Sequence, residues 1–275
     1  MAAGAGREPR GGDGAGPGDA ARVTGTTGSA LMVPSAPAGS LVSTGPEAPV
    51  MDVLRTMRAM RRLKPDPVPR ELLEQLVEAA TWAPSASNQQ LYSYVVVTDR
   101  AQMARLGVLW RDVQRKYLAA AALLDPGAFA DPATAPMLEA LHYQAEHFDE
   151  TPAVIAACYA RPPVPSDPRL VVDLIRDVGM GFLRRLASPR MAVVAGASSS
   201  YPGVQNLLLA ARALGLAANI TVWHFFAENE FKRVLGVPKH VTVYALVPVG
   251  WPAGRFGPVR RRPVADVVHW DRWSP

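Results

Sequence analysis

The sequence predicts a protein of alternating helices and strands, arranged as α/β or α+β layers. Segments with helical apolar spacing alternate along the chain with short runs of β-branched or wholly apolar residues. Glycine and proline mark most of the boundaries between these segments. Hydrophobic residues make up 49% of the 275-residue chain, which is enough to bury a substantial core. No internal repeat points to a solenoid or a propeller.

The N-terminal region has a different composition from the rest of the chain. Residues 1–50 contain 11 of the 22 glycines and no Phe, Trp or Tyr. Such a segment cannot bury enough apolar surface to offset the entropy cost of ordering it. We therefore expect a disordered Gly/Ala-rich tail at residues 1–48 and one folded domain at residues 49–275.

The folded region is expected to begin with a helix, a strand and a second helix. Apolar residues within 72–80 recur at helical spacing, and Pro84 ends that pattern. Residues 93–98 are mostly β-branched or aromatic and predict a strand. Asp99 follows that strand and can cap a helix that runs to about Leu124.

Five further elements complete the alternation. The run at 170–186 looks helical, although Gly179 and Gly181 weaken the pattern. Pro202 suits the first turn of a helix, and Gly215 suits its C-terminal end. The predicted elements, in order, are a helix at 137–148, a strand at 153–160, a helix at 170–186, a helix at 202–215 and a strand at 241–250.

Charge, cysteine content and hydropathy exclude several classes of protein. The net charge is only +5, and the basic cluster at 254–263 has no interleaved aromatic ladder, so we expect no nucleic-acid partner. Cys158 is the only cysteine, which excludes an intrachain disulfide and a cysteine-cluster zinc site. No apolar stretch reaches the roughly 18 residues that span a membrane. We expect a soluble cytoplasmic protein.

Three groups of polar or basic side chains are candidates for a binding site. Each group alone fits an ordinary turn or a solvated surface. Together they offer guanidinium forks for a phosphate and amides for the edge of a planar heterocycle. Glu139, His142 and Glu146 could share a helix face, but a solvated face explains them as well, and we predict no metal. The three groups are Arg58 and Arg61, the polar stretch with Ser85, Ser87, Asn88 and Gln90, and Arg260–Arg262.

Three blocks of the sequence resemble the flavin-dependent nitroreductase family. They stand in the family's order and cover most of residues 51–268. An amphipathic helix followed by A-P-S-x-x-N-x-Q and a strand is the most specific feature. The blocks are "MRAMRRLKPDPVPRELLEQLVEAATWAPSASNQQLYSYVVV" (57–97), "YPGVQNLLLAARALGL" (201–216) and "VLGVPKHVTVYALVPVGWPAGRFGPVRRRPVADVV" (234–268).

The resemblance implies an α+β fold with three α/β/α layers, a domain-swapped homodimer and bound FMN. Arg58 and Arg61 would meet the phosphate, ribityl or pyrimidine oxygens of the flavin. Arg260 or Arg262 would close on the phosphate, and the segment 198–202 would lie near the flavin N5. The polar stretch would supply Ser85, Ser87, Asn88 and Gln90 as further FMN-binding residues.

The chain departs from the family pattern in three places. Met57, Arg58 and Ala59 stand where Arg-Arg-Ser or Arg-His-Ser is usual, so one basic and one hydroxyl contact are absent. Gln90, Leu91 and Tyr92 replace the usual Gln-Pro-Trp. Residues 161–197 form a longer connection than is usual in the family, which predicts a remodelled region over the flavin.

The implied activity is that of an FMN-dependent oxidoreductase. NADH or NADPH would deliver a hydride, and a nitroaromatic, a quinone or a similar small molecule would accept the electrons in a ping-pong cycle. No side-chain nucleophile is required, and no catalytic side chain is predicted. Two alternatives remain open: a specialised dehydrogenase or reductase of a biosynthetic intermediate, and a flavin-binding protein without catalysis.

Overall fold

A computed structural model describes residues 44–45, 47–161, 167–186 and 188–273. The predicted tail at 1–48 therefore lies mostly outside the described residues. Within its last residues, the Gly45 amide donates to the Ala213 carbonyl, so this end of the predicted tail contacts the folded domain. In the described part of the chain, no helix is both long enough and apolar enough to cross a membrane.

Helices make up about half of the residues that the structure describes. Asp99 caps α3 as predicted, because its carboxylate accepts the Gln102 amide at 2.7 Å. The helix predicted at 137–148 is confirmed, but it begins and ends two residues earlier, at Ala135 and Glu146. The helices are α1 (Val50–Thr56), α2 (Arg70–Thr81), α3 (Arg100–Leu124), α4 (Pro126–Ala130), α5 (Ala135–Glu146), α6 (Pro168–Val178), α7 (Met180–Leu186), α8 (Pro189–Ala213) and α9 (Glu228–Leu235).

Five strands form one antiparallel sheet in the described part of the chain. The order across it is β1-β5-β3-β2, and β4 also pairs with β5. Tyr92 pairs with Tyr159, which pairs with Thr242, while Leu63 pairs with Pro252 at the far end of β5. The strands are β1 (Leu63–Lys64), β2 (Tyr92–Val97), β3 (Ala153–Ala160), β4 (Ala217–Ala218) and β5 (Val241–Pro252).

The predicted three-layer arrangement is confirmed by the two faces of β3. On one face, Ala153, Ile155 and Ala157 pack with α2 and α8. On the other face, Val154, Ala156 and Cys158 pack with α3 and α9. Successive strand residues point to opposite faces, so a fully buried strand needs apolar residues throughout. α8 approaches α2 closely, and a Cβ on Gly203 would lie 2.9 Å from the Ala80 carbonyl oxygen. Only glycine allows that approach.

Their three-residue spacing would place Arg58 and Arg61 on the same side of a helical turn, but both lie in a non-helical segment after α1, because Met57 turns the chain to an extended conformation. Two predicted helix boundaries are wrong. Gly179 has a φ of 78° and separates α6 from α7, so 170–186 is not one helix. Pro202 lies inside α8, which begins at Pro189. The C-terminal end of that helix before Gly215 is confirmed.

Candidate functional site

A cavity of about 390 Å³ lies between α3, α5 and the chain that follows β4. Three aromatic side chains form much of its wall. The ring centroids of Trp110 and Trp223 are 5.3 Å apart, and those of Tyr117 and Trp223 are 4.8 Å apart. Phe129 and Met137 add to this apolar surface. The cavity can therefore hold a flat apolar ring out of water.

Another part of this wall is polar. Gln144 and Asn219 are buried, and the Gln144 side-chain amide donates to the Asn219 oxygen at 2.9 Å. The segment after β4 is held to β5, since Thr221 and Leu246 exchange both backbone hydrogen bonds at 2.9 Å. The two amides are thus fixed at the cavity wall rather than carried on a free loop.

Arg61 joins the apolar and polar parts of the cavity. Its side chain lines this cavity and also a smaller adjoining one with Tyr143, Gln144 and His147. Arg61 is half-buried, and desolvation lowers the pKa of its guanidinium. Its neighbour Arg62 pairs with Glu139 at 2.8 Å. Arg61 itself has no ion pair or hydrogen bond within the described residues, so its donors are available to an anion or a carbonyl.

The C-terminal arm, defined here as residues 253–273, begins beside the segment that carries Arg58 and Arg61. The Ala253 amide donates to the Arg62 carbonyl at 3.1 Å, and the Val259 amide donates to the Arg55 carbonyl at 2.9 Å. The two segments therefore run antiparallel. Arg260 follows directly, and both Arg260 and Arg262 are exposed. The structure thus brings two of the predicted basic groups to one end of the sheet.

The polar stretch 85–90 forms a tight loop in a strained conformation. Ser87, Asn88 and Gln90 have φ values of 50°, 51° and 51°, which are uncommon outside glycine and concentrate at functional sites. The Ser85 hydroxyl oxygen accepts the Gln90 amide at 3.1 Å. The Ser199 hydroxyl oxygen accepts the Ala86 amide at 3.2 Å. Side-chain acceptors therefore hold the backbone while the other polar side chains remain exposed.

This loop is not brought to Arg61 within one chain. The loop precedes β2 and contacts α8, whereas the Arg61 cavity lies with α3 and α5 on the other face of the sheet. Tyr92 is level with Thr242 of β5, and Leu63 is level with Pro252. Thr242 and Pro252 therefore mark the levels of the two segments on β5. At about 3.3 Å per strand residue, these two positions are about 30 Å apart along the strand. The predicted site residues therefore form two separate groups.

Sequence reasoning missed several cavity residues. Asn219 carries a detectable signal, because it is a polar residue in a run of mostly apolar ones, whereas Gln144 lies among other polar residues and carries none. The contact between the two side chains requires the fold. The segment 198–202 was predicted to offer backbone groups to a ligand. It instead lies inside α8, where backbone amides bond within the helix.

Other reactive side chains do not form a second site. Burial raises the pKa of the Cys158 thiol to about 11, so a reactive thiolate is disfavoured. His224 is buried and its Nε2 lies 2.6 Å from the Val243 carbonyl. Glu139 pairs with Arg62, and His147 pairs with Glu150. No group of three or more metal-binding side chains occurs among the residues that the structure describes.

Comparison with known proteins connects this architecture to a family. The model of the nitroreductase family matches residues 54–251. An "NADH dehydrogenase" of Thermus thermophilus is 30% identical over 213 residues, which are 78% of this chain and 91% of the relative.

Two solved structures have a similar fold at low sequence identity. Iodotyrosine deiodinase, solved with FMN and 3-iodo-L-tyrosine, is 17% identical with a TM-score of 0.58 and covers 82% of this chain and 100% of its own. The NADPH:FMN oxidoreductase of Vibrio harveyi, solved with NAD+, is 19% identical with a TM-score of 0.55. The match covers 82% of this chain and 78% of the oxidoreductase. With a family match across most of the folded region and a 30% identical relative along nearly its whole length, the chain belongs to the nitroreductase family.

Proposed function

We propose that the chain binds FMN at the Arg61 cavity and acts as an NAD(P)H oxidoreductase. The observation that carries the proposal is Arg61, a half-buried guanidinium without a partner among the described residues. A guanidinium whose donors have no partner in the described part of the chain can make charge-assisted hydrogen bonds to a bound anion or a flavin carbonyl, and such bonds are stronger than neutral ones. The relatives named above, which act with FMN or a nicotinamide, support the same proposal.

The residues present fit the chemistry of FMN. A flavin has a planar ring system with a polar pyrimidine edge, a ribityl chain and a phosphate. The aromatic wall suits the ring, and Gln144 and Asn219 offer donors and acceptors to the pyrimidine edge. Arg58 and Arg61, together with Arg260 or Arg262, would hold the phosphate or the pyrimidine oxygens.

The chemistry that bound FMN would supply is electron transfer from NADH or NADPH to a nitroaromatic, a quinone or a similar acceptor. The protein's part is binding, positioning and charge. A guanidinium beside the pyrimidine edge would stabilise negative charge there. Trp110, Tyr117 and Trp223 would exclude water from the ring. No side-chain nucleophile is needed, in keeping with the high pKa of Cys158.

The separation of the two residue groups supports a homodimer with the flavin at its interface. Within one chain, Ser85, Ser87, Asn88 and Gln90 lie on the opposite face of the sheet from Arg61. A second copy could present its loop 85–90 to the Arg61 cavity of the first. We propose that each flavin site combines the arginines of one copy with the loop of the other.

The C-terminal arm offers a means of holding that dimer together. β2 is an edge strand, and a cavity of about 780 Å³ separates it from α2. Leu73, Val77 and Tyr94 give this cavity apolar walls. The arm exposes Val264 and Val267, which could fill it. An edge strand with unpaired backbone groups readily accepts another strand, so we propose that the partner's arm adds there.

We expect the purified protein to be yellow and to release FMN, not FAD, on denaturation. The chain has no dinucleotide-binding glycine motif, and its arginines suit a single phosphate. The measurements are an absorbance spectrum and chromatography of the released flavin. Anaerobic NADPH or NADH should then bleach the flavin absorbance near neutral pH.

Four results of that experiment are informative. Bleaching followed by rapid reoxidation with a generic quinone supports the proposed activity. Bleaching without turnover of generic acceptors indicates a specialised dehydrogenase or reductase. A flavin that neither nicotinamide reduces indicates a flavin-binding protein, and a colourless protein that takes up no added FMN contradicts the whole proposal.

A further inference from the structure

Arg212, near the C-terminal end of α8, is a buried cation that the proposed site does not use. Only 1% of its surface is exposed. Its Nε donates to the Thr56 hydroxyl oxygen at 2.9 Å, but neither Nη1 nor Nη2 has a hydrogen-bond partner among the described residues. Desolvation lowers the pKa of this guanidinium, and the Asp52 carboxylate opposes that shift. A buried donor without an acceptor is costly, so a purely space-filling role explains Arg212 poorly.

The C-terminal arm covers this guanidinium with an aromatic ring. The Arg212 Cζ lies 4.2 Å from the centroid of the Phe256 ring, well within the range of a cation–π contact. Phe256 is half-buried, whereas Arg255 before it is exposed. A methionine at position 212 could fill the same space without desolvating a charge. It could neither bind Thr56 nor attract the face of the Phe256 ring.

Phe256 lies midway along the part of the arm that runs antiparallel to residues 55–62, the last turn of α1 and the segment after it. Backbone hydrogen bonds fix this part at its two ends, from Ala253 to Arg62 and from Val259 to Arg55. The contact with Arg212 fixes it between those bonds. Arg260 is the residue immediately after the second bond, so the course of residues 253–259 determines where Arg260 and Arg262 lie.

We propose that the Arg212–Phe256 contact anchors the arm and thereby places Arg260 and Arg262 at the flavin phosphate. Arg212 is then a positioning residue that acts through the arm and does not touch the cofactor. This inference rests on the proposed FMN site. It predicts that loss of the contact weakens recognition of the phosphate while recognition of the flavin ring is retained.

The test compares FMN with riboflavin, which has the same ring system without the phosphate. Affinities are measured by fluorescence quenching on apo-protein, with thermal unfolding of each variant as a stability control. Phe256→Leu removes the ring face and keeps an apolar side chain. We expect it to weaken FMN binding about tenfold, the effect of losing roughly one charge-assisted hydrogen bond. Riboflavin binding should be unchanged.

Three further variants make the test specific. Arg212→Met should reproduce the loss of the FMN-to-riboflavin preference. Phe256→Tyr, which keeps the ring, should bind both ligands as the parent does. In the background of Arg260→Ala with Arg262→Ala, Phe256→Leu should cause no further loss, because the residues that it positions are already gone.

The outcomes distinguish this inference from the proposed function. If Phe256→Leu and Arg212→Met lower FMN and riboflavin affinity equally, or lower only the unfolding temperature, the contact is structural and the inference is wrong. The same holds if both variants keep the parent's preference for FMN. If the parent itself shows no affinity for FMN, the proposed function is wrong. The inference about Arg212 and Phe256, which rests on it, is then wrong as well.

Discussion

Replacing Arg61 with alanine should weaken FMN binding about ten- to a hundredfold. Arg61 lines the candidate cavity, is half-buried, and has no partner within the described part of the chain. A hydrogen bond to a charged group contributes about 1.5–3 kcal/mol, and each 1.4 kcal/mol is about tenfold in affinity. Titration of apo-protein with FMN, followed by fluorescence quenching, measures the effect.

Two other substitutions test the chemistry of this position. Arg61→Lys should recover only part of the affinity, because an ammonium keeps the charge but loses the planar fork. Asn88→Ala should weaken binding less than Arg61→Ala, since a neutral hydrogen bond contributes about 0.5–1.5 kcal/mol. We expect Asn88→Ala to change the reduction potential of the flavin and the turnover rate more than it changes FMN affinity.

Arg115→Ala is the matched control. Arg115 is an exposed α3 residue that pairs with Asp112 at 2.9 Å, and exposed pairs of this kind contribute little. Its loss should leave FMN affinity unchanged. If Arg61→Ala binds FMN as tightly as Arg115→Ala does, Arg61 is not a cofactor contact, even though the family assignment stands.

The sequence pattern was most informative where one physical requirement dominates. β3 is buried on both faces, so it must be apolar throughout, and its bounds at 153–160 match the prediction. α3 has both an Asp99 cap and a long apolar stripe, and its end at Leu124 also matches. Burial and capping are local or periodic properties, which a single sequence displays directly.

The sequence was misleading where tertiary packing overrides a local preference. Pro202 is typical of a first helical turn, but α8 begins at Pro189 and continues through it. Packing of that helix on α2 and the sheet offsets the lost hydrogen bond. Arg58 and Arg61 have helical spacing, yet the chain is already extended at Met57. Three-residue spacing alone therefore could not establish that they share a face.

The candidate site was predicted only in part, because its residues come from distant parts of the chain. Arginines and a polar loop could be recognised as potential ligands from their side-chain chemistry. The cavity depends on Gln144 and Asn219, which lie on α5 and after β4 and meet only through the sheet. Nor does the sequence display that Arg61 and the loop 85–90 lie on opposite faces of the sheet.

Deleting the C-terminal arm should have an even larger effect than any single substitution. Removal of residues 253–275 eliminates Arg260 and Arg262 and uncovers the buried Arg212. It also leaves the cavity between β2 and α2 without its proposed occupant. An uncovered edge strand favours non-specific association. We expect the truncated protein to be monomeric or aggregated and to retain no flavin.

A shorter deletion separates these contributions. Removing residues 264–275 keeps Phe256, Arg260 and Arg262. It removes Val264 and Val267, which are proposed to occupy the cavity between β2 and α2 of the other copy. We expect this variant to lose the dimer, as measured by sedimentation velocity, and to bind FMN weakly, since each site would lack the partner's loop 85–90. If it sediments as a dimer and remains yellow, the dimer is held by other surfaces. The proposal that the arm of one copy adds to β2 of the other is then wrong. If the longer deletion is also dimeric and yellow, the arm has no part in the flavin site.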